Sequence, residues 1–147
     1  MSIIYSTEGY VLEGKLDHEW KSNMKYGHIT LILDSLLFEG GIKEGDISKS
    51  NVGENIKILY TDILSVNKTK YRLNHVVEIE SYDGKLFTFN MADDFSTGKK
   101  KANELYNELN QAIFEYKKNL AICSNCGKEI EEGQEFCKYC GKKVFEP

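Results

Sequence analysis

Val76-Val77-Glu78-Ile79-Glu80-Ser81-Tyr82-Asp83-Gly84-Lys85-Leu86-Phe87-Thr88-Phe89-Asn90 is the stretch that decides the fold. Val77 and Ile79 alternate with Glu78 and Glu80, and Phe87 and Phe89 flank Thr88. A period of two is the mark of half-buried strands. Asp83-Gly84 between the two arms predicts a tight hairpin, in which both central residues favour positive φ. Just downstream the period changes. Ala102, Leu105, Tyr106, Leu109, Ala112, Ile113, Tyr116 and Leu120 fall at steps of three and four. That spacing predicts one amphipathic helix over 99–120, with Thr97 as its N-cap.

Upstream of the hairpin the pattern again reads as strands. A first strand is expected over 9–16. A second hairpin is expected from His28–Leu33 and Leu36–Phe38, turning at Asp34-Ser35. A further strand fits Asn55–Tyr60, and another starts near Leu64-Ser65-Val66. The stretch from Gly40-Gly41 to Gly53 reads as a polar loop. Short strands without intervening helices close into a barrel or sandwich. The fold class is therefore mainly β: about seven strands capped by one C-terminal helix, with a small metal-bound appendage. The expected division is 1–120 for the strands and helix and 121–147 for the appendage.

Composition bounds the rest. The chain has 147 residues, 41% of them hydrophobic and 29% charged, enough apolar material for a real core. Nineteen basic residues against 23 acidic ones give a net charge of −4. Such a chain is a poor general binder of nucleic acid or anionic lipid. Arg72 is the single arginine, so bidentate recognition of phosphate is nearly unavailable, and anion binding falls to lysine or backbone amides. No apolar run approaches the roughly 18 residues of a membrane span. The N-terminal residues lack the basic start and apolar stretch of a signal peptide. The expected location is cytoplasmic, with peripheral membrane attachment as the variant.

The four cysteines, Cys123, Cys126, Cys137 and Cys140, all lie at the end of the chain. Two C-x2-C pairs are separated by ten residues, and a Gly follows each pair, Gly127 and Gly141. The two halves, CSNCGKEI and CKYCGKKV, form a short repeat. In a zinc knuckle, backbone amides after the second thiolate point at the sulfurs, and a Gly there tolerates positive φ. Two knuckles close a tetrahedral shell of four thiolates, so the ion is structural: one Zn²⁺. A segment this short cannot build its own core, and a structural zinc supplies roughly 10–16 kcal/mol of apparent folding energy in finger peptides. Ile122, Ile130, Phe136, Val144 and Phe145 are the expected apolar cover. The competing readings are two disulfides, which need a secretory route, a redox C-x-x-C, and a rubredoxin-type iron site, whose knuckles lie farther apart.

Two resemblances follow from these residues. The segment 121–145 resembles the short zinc-ribbon modules found at the ends of many bacterial and archaeal proteins. The order of strands and helix over about residues 5–118 resembles the pleckstrin-homology superfold, especially its GRAM-like members. Three stretches carry that second likeness: Gly27-His28-Ile29-Thr30-Leu31 to Leu37-Phe38, Ile58-Leu59-Tyr60-Thr61-Asp62-Ile63-Leu64-Ser65-Val66, and Phe87-Thr88-Phe89 followed by the helix. The resemblance implies a binding module. It also implies that the loop between the first two strands is where lipid phosphates are held.

In that loop stand Lys15, Trp20, Lys21, Met24 and Lys25, with Asp17 and Glu19 between them. The lysines are candidate lipid contacts, and Trp20 and Met24 candidate membrane tips, against the alternative that Trp20 packs in the core. Lys99-Lys100-Lys101, at the expected helix N-terminus, is a second candidate anion site, against the alternative of a solvated first turn. The tail's Lys138, Lys142 and Lys143 are a candidate nucleic-acid surface. Its five glutamates and its thiolates leave it net negative, which makes it a poor reader of phosphates. His18, His28 and His75 are far apart, and no catalytic motif occurs. The expected function is a non-enzymatic adaptor that docks a protein or peptide partner. Anionic-lipid binding and nucleic-acid binding are the alternatives.

Overall fold

The computed structural model describes residues 3–15, 24–41, 51–72, 74–91, 95–119, 123, 125–130 and 136–142. Among these residues seven strands precede one long helix: β1 (Ile3–Glu13), β2 (Lys25–Ile32), β3 (Ser35–Gly40), β4 (Asn55–Leu59), β5 (Ile63–Tyr71), β6 (Asn74–Ser81), β7 (Leu86–Asn90) and α1 (Phe95–Asn119). A 3₁₀ turn, Tyr60–Asp62, joins β4 to β5. All strand pairs are antiparallel, in the order β4-β3-β2-β1-β7-β6-β5.

The sheet curls. Its two outer strands, β4 and β5, do not pair with each other, yet Ile58 of β4 and Ile63 of β5 enter the same core as Val11, Ile29, Leu31, Phe38, Val77, Ile79 and Phe89. The helix α1 lays Ala102, Leu105, Leu109 and Ala112 on that core, the face expected from its apolar spacing. Tyr60 is fully buried at the corner between β4 and β5. Its hydroxyl donates to the Ile32 carbonyl at 2.6 Å, and its ring meets Tyr116 of α1 edge-on at 5.9 Å. Gly27 and Gly40 face each other across β2 and β3. A Cβ on Gly27 would lie 2.2 Å from the Glu39 carbonyl oxygen, so glycine is what lets these backbones approach.

Several expectations are corrected. β1 starts at Ile3 and ends at Glu13, well ahead of the expected 9–16. Its first half is mostly exposed, with Tyr5 partly buried against the core, and its apolar alternation is weak; pairing with β2, from Tyr5↔Leu31 to Val11↔Lys25, is what makes it a strand. The turn after β6 is longer than a two-residue hairpin. Only Gly84 has positive φ, at 89°, while the Asp83 carboxylate accepts from the Ser81 hydroxyl and from the Lys85 amide. The helix begins at Phe95, so Thr97 lies inside the first turn and is not the N-cap. Lys99, Lys100 and Lys101 therefore sit one turn in, past the first-turn amides. Met24 is buried against Val76 on the outer face of the sheet and is no membrane tip. His28 lies within β2, 3.6 Å from Glu8.

Candidate metal centre

The sulfurs of Cys123, Cys126, Cys137 and Cys140 lie within 4.8 Å of one another. Cys123 and Cys140 are 3.6 Å apart at sulfur, and so are Cys126 and Cys137. A disulfide needs about 2.05 Å, and all four are free thiols. A tetrahedral zinc with Zn–S bonds of about 2.3 Å sets its sulfurs roughly 3.8 Å apart, so the spacing fits one such ion.

The two halves are built alike. Gly127 donates its N–H to the Cys123 carbonyl at 2.8 Å, and Gly141 donates to the Cys137 carbonyl at 2.8 Å. Cys123 and Cys137 donate in turn to the carbonyls of Lys128 and Lys142, at 2.8 and 2.9 Å. Both glycines stand at φ 76°. Each knuckle is thus a closed backbone loop that aims two sulfurs at one point. Cys123, Cys137 and Ile130 are buried together and form a small core separate from that of the sheet. Phe136 was expected in this cover but is 57% exposed. Ile122, Val144 and Phe145 lie outside the described residues.

The thiols do not titrate alike. The Lys142 amide, pointing at Cys140, outweighs burial and brings that thiol down to about 6. Burial works against Cys137, but the amides of Tyr139 and Cys140 leave it below the usual range. At Cys126 the Lys128 amide pulls downward, yet burial and the three neighbouring sulfurs hold it up at about 11. Four anions this close cannot all ionise without a cation, and backbone amides already favour the charged form at two of them. When bound, zinc supplies the missing positive charge and fixes the two knuckles to each other.

The metal centre abuts the rest of the protein. A Cβ on Gly127 would meet the Tyr82 hydroxyl at 3.0 Å, so the turn after β6 lies against the first knuckle. Lys117, near the end of α1, is only 5% exposed. Burial lowers its ammonium below the usual lysine range, and the sulfurs of Cys123 and Cys126 pull it back up. It is a cation beside a centre that is formally doubly negative when four thiolates hold Zn²⁺. Sequence reading missed Lys117 and Tyr82; a lysine in the last turn of a helix is too common to stand out.

The other candidate residues do not converge. Lys15 is exposed beyond the end of β1, and Trp20 and Lys21 lie outside the described residues, as does His18. Lys25 opens β2 and pairs with Glu54 at 3.0 Å. Lys99 and Lys100 are exposed on α1, and Lys101 is half-buried. No helix among the described residues is long and apolar enough to cross a membrane.

Residues 122–144 match the model of the zinc-ribbon domain family. Among solved structures, the chain is similar to the C-terminal domain of an unknown protein from Leishmania infantum. That match has 14% identity and a TM-score of 0.49, and covers 74% of this chain and 84% of that one. It is also similar to the pleckstrin homology domain of ArhGAP27, with 13% identity, a TM-score of 0.49, and 74% and 99% coverage. A third is the pleckstrin homology domain of USP37, with 11% identity, a TM-score of 0.44, and 75% and 97% coverage. No curated protein matches the chain. Two pseudo-symmetric knuckles, four sulfurs at tetrahedral spacing and the family match together make the C-terminal segment a zinc ribbon with one structural zinc, following a seven-stranded, helix-capped sheet.

Proposed function

We propose that this protein is a non-enzymatic docking module for an extended polypeptide partner, with the zinc ribbon as its structural end-piece. One observation carries the reading: β5 is an outer strand of the sheet and is exposed over Asn67–Lys70. Among the described residues, no strand pairs with its outer row of backbone N–H and C=O groups. The natural complement of such an edge is another strand. The metal supports the reading from the other side, because a shell of four thiolates leaves no coordination position for a substrate. The lipid alternative is weakened where Lys25 is already neutralised by Glu54.

The test is a random peptide library displayed on phage and panned on the zinc-loaded protein, followed by amide NMR with the enriched peptide. Shifts confined to residues 64–71 and the facing side of α1 are the expected footprint. Failure of any peptide to enrich, or a footprint on β1–β3, would overturn the proposal.

A further inference from the structure

The two knuckles face different surroundings. The first meets the rest of the protein at two points: Tyr82, in the turn after β6, reaches Gly127, and Lys117, in the last turn of α1, lies beside Cys123 and Cys126. The second ends in Cys140 and Gly141, both exposed. Among the described residues Lys117 is the only charged side chain that is buried. A lysine is rarely buried without a partner of opposite charge. Yet among the described residues no carboxylate lies within ion-pair distance of Lys117. The groups that act on its ammonium are the sulfurs of Cys123 and Cys126. The helix end does not explain the burial, because Lys118, in the same turn, opposes the macrodipole from solvent. The described lysines of the ribbon do not share this position. Lys128, Lys138 and Lys142 are exposed, and the first two lie over the Tyr139 ring at 4.7 and 5.2 Å.

We infer that Lys117 is the counter-ion of the metal centre and makes it selective for divalent over trivalent ions. Four thiolates around a divalent ion are formally doubly negative; around a trivalent ion they are singly negative. A fixed cation beside two of the sulfurs stabilises the dianion more than the monoanion. Water is largely excluded at Lys117, so the attraction is stronger there than at the surface. The same charge ties metal loading to the seating of the ribbon on α1. A buried ammonium with no full counter-charge is costly, and the loaded centre supplies that charge. Loading and seating therefore favour each other by the same factor. The inference stands apart from the docking reading above, since it concerns the metal and not the partner.

The experiment uses the full chain, natural and with Lys117→Met or Lys117→Arg. Methionine keeps an unbranched apolar stem and removes the charge; arginine keeps the charge. Competition with a chromophoric chelator should show Lys117→Met binding zinc about 10–100-fold more weakly, the range for loss of a group that supports metal ligands. Lys117→Arg should retain most of the affinity. Urea unfolding of the sheet should be unchanged or shifted upward in Lys117→Met, because an apolar side chain removes the cost of burying an ammonium. The second measurement replaces zinc by iron, which the same four thiolates can hold as ferrous or ferric ion. The reduction potential should fall in Lys117→Met, where the doubly negative ferrous centre has lost its counter-charge, and should stay near the natural value in Lys117→Arg. Unchanged zinc affinity in Lys117→Met would overturn the inference. So would an unchanged potential, or a sheet destabilised in step with the loss of zinc, since either would reduce Lys117 to a packing residue. A Lys117→Arg variant as weak as Lys117→Met would overturn it as well.

Discussion

Gly127 and Gly141 share one backbone state: each stands at φ 76°, and each donates its amide to the carbonyl of the cysteine four residues before it, at 2.8 Å. Their surroundings differ. A Cβ on Gly127 would touch the Tyr82 hydroxyl at 3.0 Å, whereas among the described residues nothing lies within 4 Å of a Cβ on Gly141. The pair therefore separates backbone strain from contact with the sheet.

Gly141→Ala should weaken zinc binding by about 1–2 kcal/mol, the cost of a left-handed non-glycine residue. Gly127→Ala should cost more, and Tyr82→Ala should recover the excess. Competition with a chromophoric chelator measures all three. Equal losses at the two glycines would mean that Tyr82 does not press on the first knuckle in solution.

Removing the metal should dissolve the ribbon and spare the sheet. The ribbon's core of Cys123, Cys137 and Ile130 is separate from the main core, and too small to fold unaided. With a strong chelator, or with Cys137→Ser, amide signals of residues 123–142 should collapse to random-coil positions. Those of β1–β7 should persist, with changes limited to Tyr82 and the end of α1, where Lys117 loses its cover. A global loss of dispersion would show one cooperative unit instead.

Tyr60→Phe tests the corner between β4 and β5. The change leaves the Ile32 carbonyl without its donor and should cost about 1–2 kcal/mol in urea unfolding. It also has a pH signature. Burial, with help from the Asp34 carboxylate, raises the Tyr60 hydroxyl far above its ordinary value of 10.0. Below pH 10 both folded and unfolded states hold the proton. Above it the unfolded chain releases the proton first, so stability falls as pH rises. Stability of the natural protein should therefore decline above pH 10, and part of that slope should vanish in the Phe variant.

Gly27→Ala places a methyl against the Glu39 carbonyl, a backbone atom that cannot swing away. The strands β2 and β3 must part, at a cost of roughly 1–3 kcal/mol or more. Thermal unfolding measures it. A change below 0.5 kcal/mol would show that the strands separate there at little cost.

The residues that sequence could read are those whose partners are near in the chain. Cys123 and Cys126 announce a metal because ligand spacing is local, and Ala102 to Ile113 announce a helix because one face repeats within a few turns. Gly84 marked a turn, though the Asp83 side chain, rather than a second positive φ, completes it. Thr97 misled because a polar residue before an apolar run resembles a cap, while the helix had already begun at Phe95. Ile3–Glu8 and Asn67–Lys70 were unreadable as strands, since the first buries only Tyr5 and Thr7, and those in part, and the second is exposed throughout. Lys68 and Lys70 of β5, His75 of β6 and Lys99 of α1 line one hollow only through strand register and the crossing of α1, neither of which is written in any one segment.

The pairing of Tyr10 with Asn90 and of Val11 with Phe89 has a consequence for biosynthesis. On the ribosome β1 meets β2 early, but its other edge stays bare until β7 has left the exit tunnel. At about 5–20 residues per second, the intervening stretch takes several seconds to synthesise. For that interval the nascent chain presents an unsatisfied strand edge and half of its apolar core to whatever is nearby. The ribbon, whose cysteines follow β7 in the chain, loads its ion only after that hazard has passed.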